Sequence, residues 1–244
     1  MESIKKALID GAALLGTPIS SDIADALLRY CDILNERNKS VNLTRITEPL
    51  DVITKHFLDS LTPLLTDHVQ GKVIDIGTGA GFPGLVLKCA KPQIELTLLD
   101  SLNKRISFLK DAAKVMGMQD GILYVHSRAE DAGLSETHRE KYDTAVSRAV
   151  ANMRTLSEWC LPFVKIGGYF LALKGPLAKE ELEEAMPAIS VLGGKVTDIF
   201  NADIPYTDLH HKIIIIKKVR PTPSMFPRKG KRSTFVPVEK AYKR

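Results

Sequence analysis

Residues 73–84 read VIDIGTGAGFPG, and their reading decides the fold. Val73, Ile74 and Ile76 bracket one acid, Asp75, in the manner of a short buried strand. Glycines follow at 77, 79, 81 and 84. Lacking Cβ, they accept unusual φ values and let a ligand approach the backbone closely. Gly79-x-Gly81-x-x-Gly84 satisfies the dinucleotide spacing, in which a pyrophosphate rests on the N-terminus of the following helix. On spacing alone a nicotinamide oxidoreductase stands beside other cofactor-binding enzymes.

Two acids separate these readings. Asp75 precedes the first glycine, where a carboxylate repels a pyrophosphate and suits a cationic or ammonium-bearing ligand. Asp100 closes the run LTLLD, 21 residues after Gly79; an acid at such a strand tip accepts hydrogen bonds from ribose hydroxyls. Together they favour S-adenosylmethionine, which carries an ammonium and a sulfonium but no phosphate. The purely structural alternatives are a loop-orienting role for Asp75 and a helix cap for Asp100. A third strand end, HSRAED (126–131), would set Ala129 and Glu130 beside an adenine ring, although SRAED also reads as a helix start.

Around this core, β-type runs occur at 72–76, 94–99, 122–126, 143–147, 169–173 and 212–218, with helical stretches such as NKRISFLKDAAKVMG and LAKEELEEAMPAI between several of them. Alternating elements imply a largely parallel sheet covered on both faces. The four isoleucines 213–216 read as a strand buried on both sides. Residues 1–70 look helical instead: Ser20-Ser21-Asp22 offers caps, and Ile23, Leu27, Tyr30 and Leu34 follow at helical spacing. A polar break, NERNKSVNLTRI, precedes a second run, PLDVITKHFLDSLTPLL, with Ile53, Phe57 and Leu61 on one face. After Arg220 prolines and bases replace periodicity. The expected division is a helical N-terminal subdomain (1–70), a catalytic domain (71–220) and a basic, Pro-containing arm (221–244).

The 244 residues carry a net charge of +5 with 44% hydrophobic and 26% charged residues, an ordinary globular composition. No run approaches the roughly 20 apolar residues of a membrane span. Glu2, Asp10 and Gly11 turn the N-terminal apolar stretch into an amphipathic helix rather than a leader. Three scattered cysteines form neither a disulfide framework nor a CxxC metal site, as suits a reducing cytoplasm. Eleven Lys/Arg and one acid fall in residues 212–244, leaving 23 bases against 28 acids before them. Such a basic end on an acidic body is either a nucleic-acid footprint or a solvated tail.

The chemistry narrows further. Carbon methylation calls for a nucleophile, typically a cysteine thiolate, and no cysteine occupies a Pro-Cys turn at a strand tip. Methylation of an exocyclic amine usually accompanies an Asn-Pro-Pro-aromatic turn after the fourth strand, where this chain reads DTAVSRAVAN. A ring nitrogen with a free lone pair, such as guanine N7, needs alignment and electrostatic support alone. Arg148, ending the fourth strand, sits where cofactor and substrate would meet; an ion pair with an acid such as Asp143 is its structural alternative.

NLTRI (42–46), KHFLDSL (55–61), DIGTGAGFPG (75–84), LLDSLNKRISFL (98–109), SRAED (127–131), YDTAVSRAVA (142–151) and LKG (173–175) occur in this order. From about residue 30 to 228 the chain resembles the glucose-inhibited division protein B family, bacterial methyltransferases that modify a guanine N7 in 16S ribosomal RNA. The resemblance implies a class I methyltransferase fold, Rossmann-like with a mostly parallel seven-stranded sheet and a helical N-terminal extension. It implies that Gly77, Phe82, Ala129, Glu130 and Arg148 contact S-adenosylmethionine, joining Asp75, Gly79, Gly81 and Asp100 from the residue reading, with Arg148 catalytic. Lys104 and Arg105 match the family's LNKR and fall near cofactor or RNA.

The segment YTDLHHK (206–212) departs from the family pattern, which usually has an arginine before the last apolar strand; His210, His211 or Lys212 stands in its place. The histidine pair reads as surface rather than metal ligation, and no metal is expected. The RNA surface would comprise Asn38, Lys39, Asn42, Arg45, Lys55, His56, Arg228, Lys229, Lys231 and Arg232. The expected partner is 16S RNA, within the 30S subunit or an assembly intermediate, for a monomeric cytoplasmic enzyme. The competing readings are an NAD(P)-dependent oxidoreductase and a non-catalytic ribosome-assembly factor.

Overall fold

The computed structural model describes residues 2–230 and 237–242; Lys231 and Arg232 lie outside the described residues. Strands β1 (Lys72–Ile76), β2 (Glu95–Asp100), β3 (Ile122–His126), β4 (Tyr142–Arg148), β5 (Val164–Lys174), β6 (Gly194–Asp203) and β7 (His210–Lys218) form one sheet in the order β3-β2-β1-β4-β5-β7-β6. Pairing is parallel from β3 across to β5, and β7 runs antiparallel to both β5 and β6. The six apolar runs all lie on strands. β6 is the addition. Its sequence GKVTDIFNAD is half polar because it sits at the sheet edge, where only part of the strand is covered, so the period-2 apolar signal is weak.

Burial sorts the four isoleucines of β7 by parity. Ile213 and Ile215 join the core on one face, and Ile214 and Ile216 join the core on the other, the alternation of a strand covered on both sides. The first face is roofed by α1 (Glu2–Leu15), α2 (Ser21–Val41), α5 (Gly84–Ala90) and α6 (Asn103–Val115). The second is covered by α8 (Met153–Cys160), α9 (Ala178–Val191) and α10 (Val238–Tyr242). The N-terminal helices thus share a core with the sheet. Each fully buried Leu among them, such as Leu8, Leu27 and Leu34, contributes about 1.5–3 kcal/mol.

Local chemistry fixes the two N-terminal elements that reach the site. The Ser20 hydroxyl accepts from Ile23 N at 3.3 Å to start α2, and Asn42 ends it in a left-handed conformation at φ 52°. Asn38 then folds the polar break into a turn, accepting from Leu43 N at 2.6 Å and Thr44 N at 2.9 Å. Next come α3 (Pro49–Val52), a π-helical turn (Ile53–Leu58) and α4 (Asp59–Leu61). Asp59 N reaches back to Thr54 O. This wide spacing, frequent at functional sites, brings Lys55, His56 and Asp59 to the end of β4.

The C-terminal arm lies on the body as far as it is described there. Arg139 donates to the carbonyls of Gly133, Thr222, Pro223 and Phe226. The fully buried Lys218 ammonium donates to Leu161 O, Val164 O and Thr222 Oγ1, and burial pulls its pKa down to about 8. Arg228 grips the fully buried Glu158 through Nε at 2.8 Å and Nη2 at 2.6 Å. Some of the basic charge at this end of the chain is therefore internal scaffolding.

Candidate active site

The C-terminal ends of β1, β2 and β4 converge where the strand order reverses, the place at which open α/β sheets bind ligands. A cavity of about 500 Å³ opens there. Gly77, Gly79, Phe82, Asp100, Ala129, Glu130 and Arg148 line it, together with His56. The loop after β1 is pinned to β2 by Gly77 N and Thr78 N, which donate to Leu99 O at 2.9 and 3.1 Å. Gly77, at φ +69°, allows a close approach: a Cβ there would meet Val150 Cγ2 at 2.8 Å. At Gly79, φ +59°, a Cβ would meet nothing nearer than Gly77 O at 3.9 Å; the space it would take belongs to the cavity.

Asp75 and Gly81 lie beneath this surface. Asp75 is fully buried; its Oδ2 accepts from Thr78 Oγ1 at 2.7 Å and Gly84 N at 2.9 Å, while Oδ1 has no partner. Burial pushes its pKa up to about 6 against the opposing pull of those two bonds. Its position is that of the loop-orienting alternative. Gly81 makes room for the Tyr30 hydroxyl, which a Cβ would meet at 2.5 Å. Tyr30 donates to Ala80 O and stacks on Phe82 with centroids 5.3 Å apart. Thus α2 braces the glycine loop.

Asp100, at the tip of β2, is also buried. Its Oδ2 accepts from Gly79 N at 3.0 Å and Arg105 at 3.2 Å, and its Oδ1 from Leu102 N at 2.9 Å. A carboxylate has about four acceptor sites, so one remains for a hydroxyl in the cavity. Lys104 is exposed. Glu130 is buried on the short α7 (Ala129–Ala132), with Arg128 at 3.7 Å as its ion-pair neighbour. Two carboxylates, Asp100 and Glu130, line this half of the cavity, each beside an arginine, Arg105 or Arg128, that lines it too. The first amide of α5, at Gly84, is spent on Asp75 rather than facing a phosphate. With acceptor capacity left on Asp100 and the Gly84 amide spent, the site fits a ligand with ribose hydroxyls better than a pyrophosphate.

Arg148 has inward partners that the sequence did not reveal. Nη1 donates to Asp59 Oδ2 at 2.6 Å and Lys55 O at 3.0 Å, and Nη2 to His56 Nδ1 at 3.1 Å. The guanidinium lies 5.1 Å from the Phe82 ring centroid, and His56 stacks on that ring at 4.5 Å. Asp143, the acid considered for Arg148, pairs instead with Lys165 and accepts from Lys72 N at 2.8 Å.

Burial, reinforced by the Arg148 charge, lowers the His56 pKa to about 4, so the ring is neutral at physiological pH. Its Nδ1 lies 3.1 Å from both Arg148 Nη2 and Lys55 O, and its Nε2 lies 2.8 Å from Thr44 Oγ1. Burial alone would raise the Asp59 pKa, but the His211 hydrogen bond and the Arg148 charge outweigh it and hold Asp59 below the usual value.

A second cavity of about 690 Å³ adjoins the first. His56, Arg148, Ala149 and Val150 line both. Asp59, His211 and the LKG residues 173–175 line the second alone. Ala149 takes a left-handed φ of 54° here, which a non-glycine residue adopts only when its surroundings impose it.

The residues read as an RNA surface divide. Asn42 and Arg45 are exposed, as is Lys229, paired with Asp131 at 2.9 Å; Lys55 is partly exposed and paired with Asp51 at 2.8 Å. His56 and Arg228 face inward. His210 is exposed, whereas His211 binds Asp59 at 2.7 Å. Asp59 and the cavity-lining Trp159 are the residues sequence reasoning missed. Asp59 lay inside the quoted KHFLDSL, but its partners are 89 and 152 positions away. The three cysteines are buried and burial raises each thiol, Cys31 and Cys89 to about 11, so none is a ready nucleophile. Among the described residues no cluster is placed to hold a metal ion, and no helix is long and apolar enough to cross a membrane.

The family model of GidB, rRNA small subunit methyltransferase G, matches residues 23–208. A ribosomal RNA small subunit methyltransferase G from Alkaliphilus metalliredigens is 48% identical over 98% of this chain and 100% of its own length. Its namesake from Alkaliphilus oremlandii is 51% identical over 97% of this chain and 99% of its own. Among solved structures, M. jannaschii TYW2 in complex with AdoMet shares the fold at 12% identity, with a TM-score of 0.51 over 66% of this chain and 77% of that one. The chain therefore belongs to the GidB family, the rRNA small subunit methyltransferases G.

Proposed function

We propose that this protein transfers a methyl group from S-adenosylmethionine to N7 of a guanine in the 16S RNA of the small ribosomal subunit. The observation that carries the reading is the pair of adjoining cavities with Arg148 in their shared wall. One cavity sets the glycine loop beside Asp100 and Glu130, as a ribose- and adenine-bearing cofactor requires; the other leaves room for a base. Gly77, Gly79, Phe82, Asp100, Ala129, Glu130 and Arg148 would hold the cofactor, Asp100 through ribose hydroxyls, with Asp75 setting the loop from below. The bound cofactor supplies an electrophilic methyl group on a sulfonium.

The chain's own task is then alignment. Guanine N7 carries a free lone pair, so no group need remove a proton first, and His56, its pKa lowered to about 4 and its basicity with it, and the buried thiols fit a site without a general base or nucleophile. Holding the base against the shared wall turns a two-body encounter into an oriented one. Exposed Asn42, Arg45 and Lys229 and the partly exposed Lys55 would meet the RNA backbone, giving a salt-dependent affinity. We place the enzyme in the cytoplasm as a monomer acting on the 30S particle or its precursor. A nicotinamide oxidoreductase is disfavoured by the use of the Gly84 amide on Asp75.

The test is transfer of tritium from methyl-labelled S-adenosylmethionine to small-subunit RNA from cells lacking the protein, followed by nuclease digestion. Label in N7-methylguanosine is the expected result. Tight binding of the particle with no transfer would turn the reading toward an assembly factor. A thermal shift with NADH but not with S-adenosylhomocysteine would turn it toward an oxidoreductase.

A further inference from the structure

Arg148 is held by more than its place on β4. Asp59, whose side chain is 2% exposed, divides its carboxylate: Oδ2 accepts from Arg148 at 2.6 Å, and Oδ1 meets His211 Nδ1 at 2.7 Å. His211 comes from β7, two strands away from β4 in the sheet. We propose that Asp59 and His211 form a positioning pair for methyl transfer, fixing the Arg148 guanidinium in the wall between the two cavities. The proposal rests on the methyltransferase reading above and assigns roles to two residues in it.

The geometry gives the pair two tasks. Arg148 has one face over Phe82 at 5.1 Å and its edge on Asp59, Lys55 O and His56. Its plane and direction are thereby set from three separate elements, the precision that oriented transfer demands. The second task is electrostatic. Methylation at N7 forms an N–C bond as the S–C bond breaks; the bonding pair stays on sulfur, which becomes neutral, and the purine takes the positive charge. An unpaired arginine facing the base would disfavour its gain of that charge. Asp59 neutralises it, and the hydrogen bond from His211 keeps the carboxylate turned toward Arg148. Removing either support should therefore slow transfer more than it weakens cofactor binding.

The chain has a single tryptophan, Trp159, and it lines the first cavity, so its emission reports S-adenosylhomocysteine binding without any turnover. Asp59→Asn and His211→Asn should bind S-adenosylhomocysteine within about twofold of the parent and keep their KM for S-adenosylmethionine. The expected fall in kcat is about 100-fold for Asp59→Asn, the scale of losing one preorganised charge contact, and several-fold for His211→Asn. Asp59→Glu should recover part of the loss. Parent-like kcat in folded Asp59→Asn, or a loss of kcat matched by loss of S-adenosylhomocysteine binding, overturns the proposal. If Asp59→Asn does not fold, the partly exposed His211 decides: unchanged kcat in His211→Asn overturns it, and a fall in kcat at constant KM supports it. Failure of the parent itself to transfer methyl groups would instead overturn the methyltransferase reading.

Discussion

Asp75 and Asp100 look alike in the sequence, and their surroundings make them different groups. Asp100 sits in the cavity wall with acceptor capacity to spare, whereas Asp75 is sealed below with Oδ1 unpartnered. The Asp75 pKa, raised by burial to about 6, has a signed consequence. The folded state binds this proton more tightly than the unfolded chain. Its stabilising contribution is thus fully present below pH 3.8 and lost as pH rises through about 6. Asp75→Asn keeps an oxygen for Thr78 and Gly84 and removes the buried charge. Its stability relative to the parent should climb between pH 4 and pH 7 by up to about 3 kcal/mol, read from urea midpoints at the two pH values; a constant difference would contradict the assignment. The residue types at this site were legible because glycines and strand-end acids announce themselves at fixed spacing. The Arg148–Asp59–His211 chain was not, because its three members come from β4, α4 and β7 and meet only through the fold.

At the scale of elements, the loop after β1 works because three neighbours hold it: β2 through Leu99 O, α2 through Tyr30, and the turn after β4 through Val150. Gly77→Ala puts a methyl group against Val150 at a positive φ, which costs on the order of 1–3 kcal/mol. It should weaken S-adenosylhomocysteine binding at least tenfold by Trp159 emission, and parent-like binding would show that the contact yields easily. Strands with apolar cores were readable from their β-branched runs. β6 was not, since a half-covered edge strand tolerates Lys195, Asp198 and Asn201, and those residues erase the alternation. Nor does a sequence period reveal the π-helical turn at Ile53–Leu58, which shifts register by one residue within an otherwise helical run.

On the scale of the whole molecule, the basic C-terminus divides into anchors and contacts. Lys218 and Arg228 are buried against carbonyls and Glu158, while Lys229 is exposed. Charge counting cannot separate them, because an internal ion pair and a solvated lysine look identical in composition. Arg228→Glu would set two carboxylates against each other at the buried Glu158 and should lower Tm by roughly 10 °C, as loss of a buried ion pair costs about 3–5 kcal/mol. Lys229→Glu should leave Tm unchanged and weaken RNA binding, with the salt dependence shallower by about one unit of log–log slope; the reverse pattern would exchange their roles. The central claim concerns what the joined cavities do. Its most direct test is to map N7-methylguanine in 16S RNA by borohydride and aniline cleavage with primer extension, in cells with and without this protein. One cleavage stop present with the protein and absent without it is the predicted result; an identical pattern in both would contradict the account.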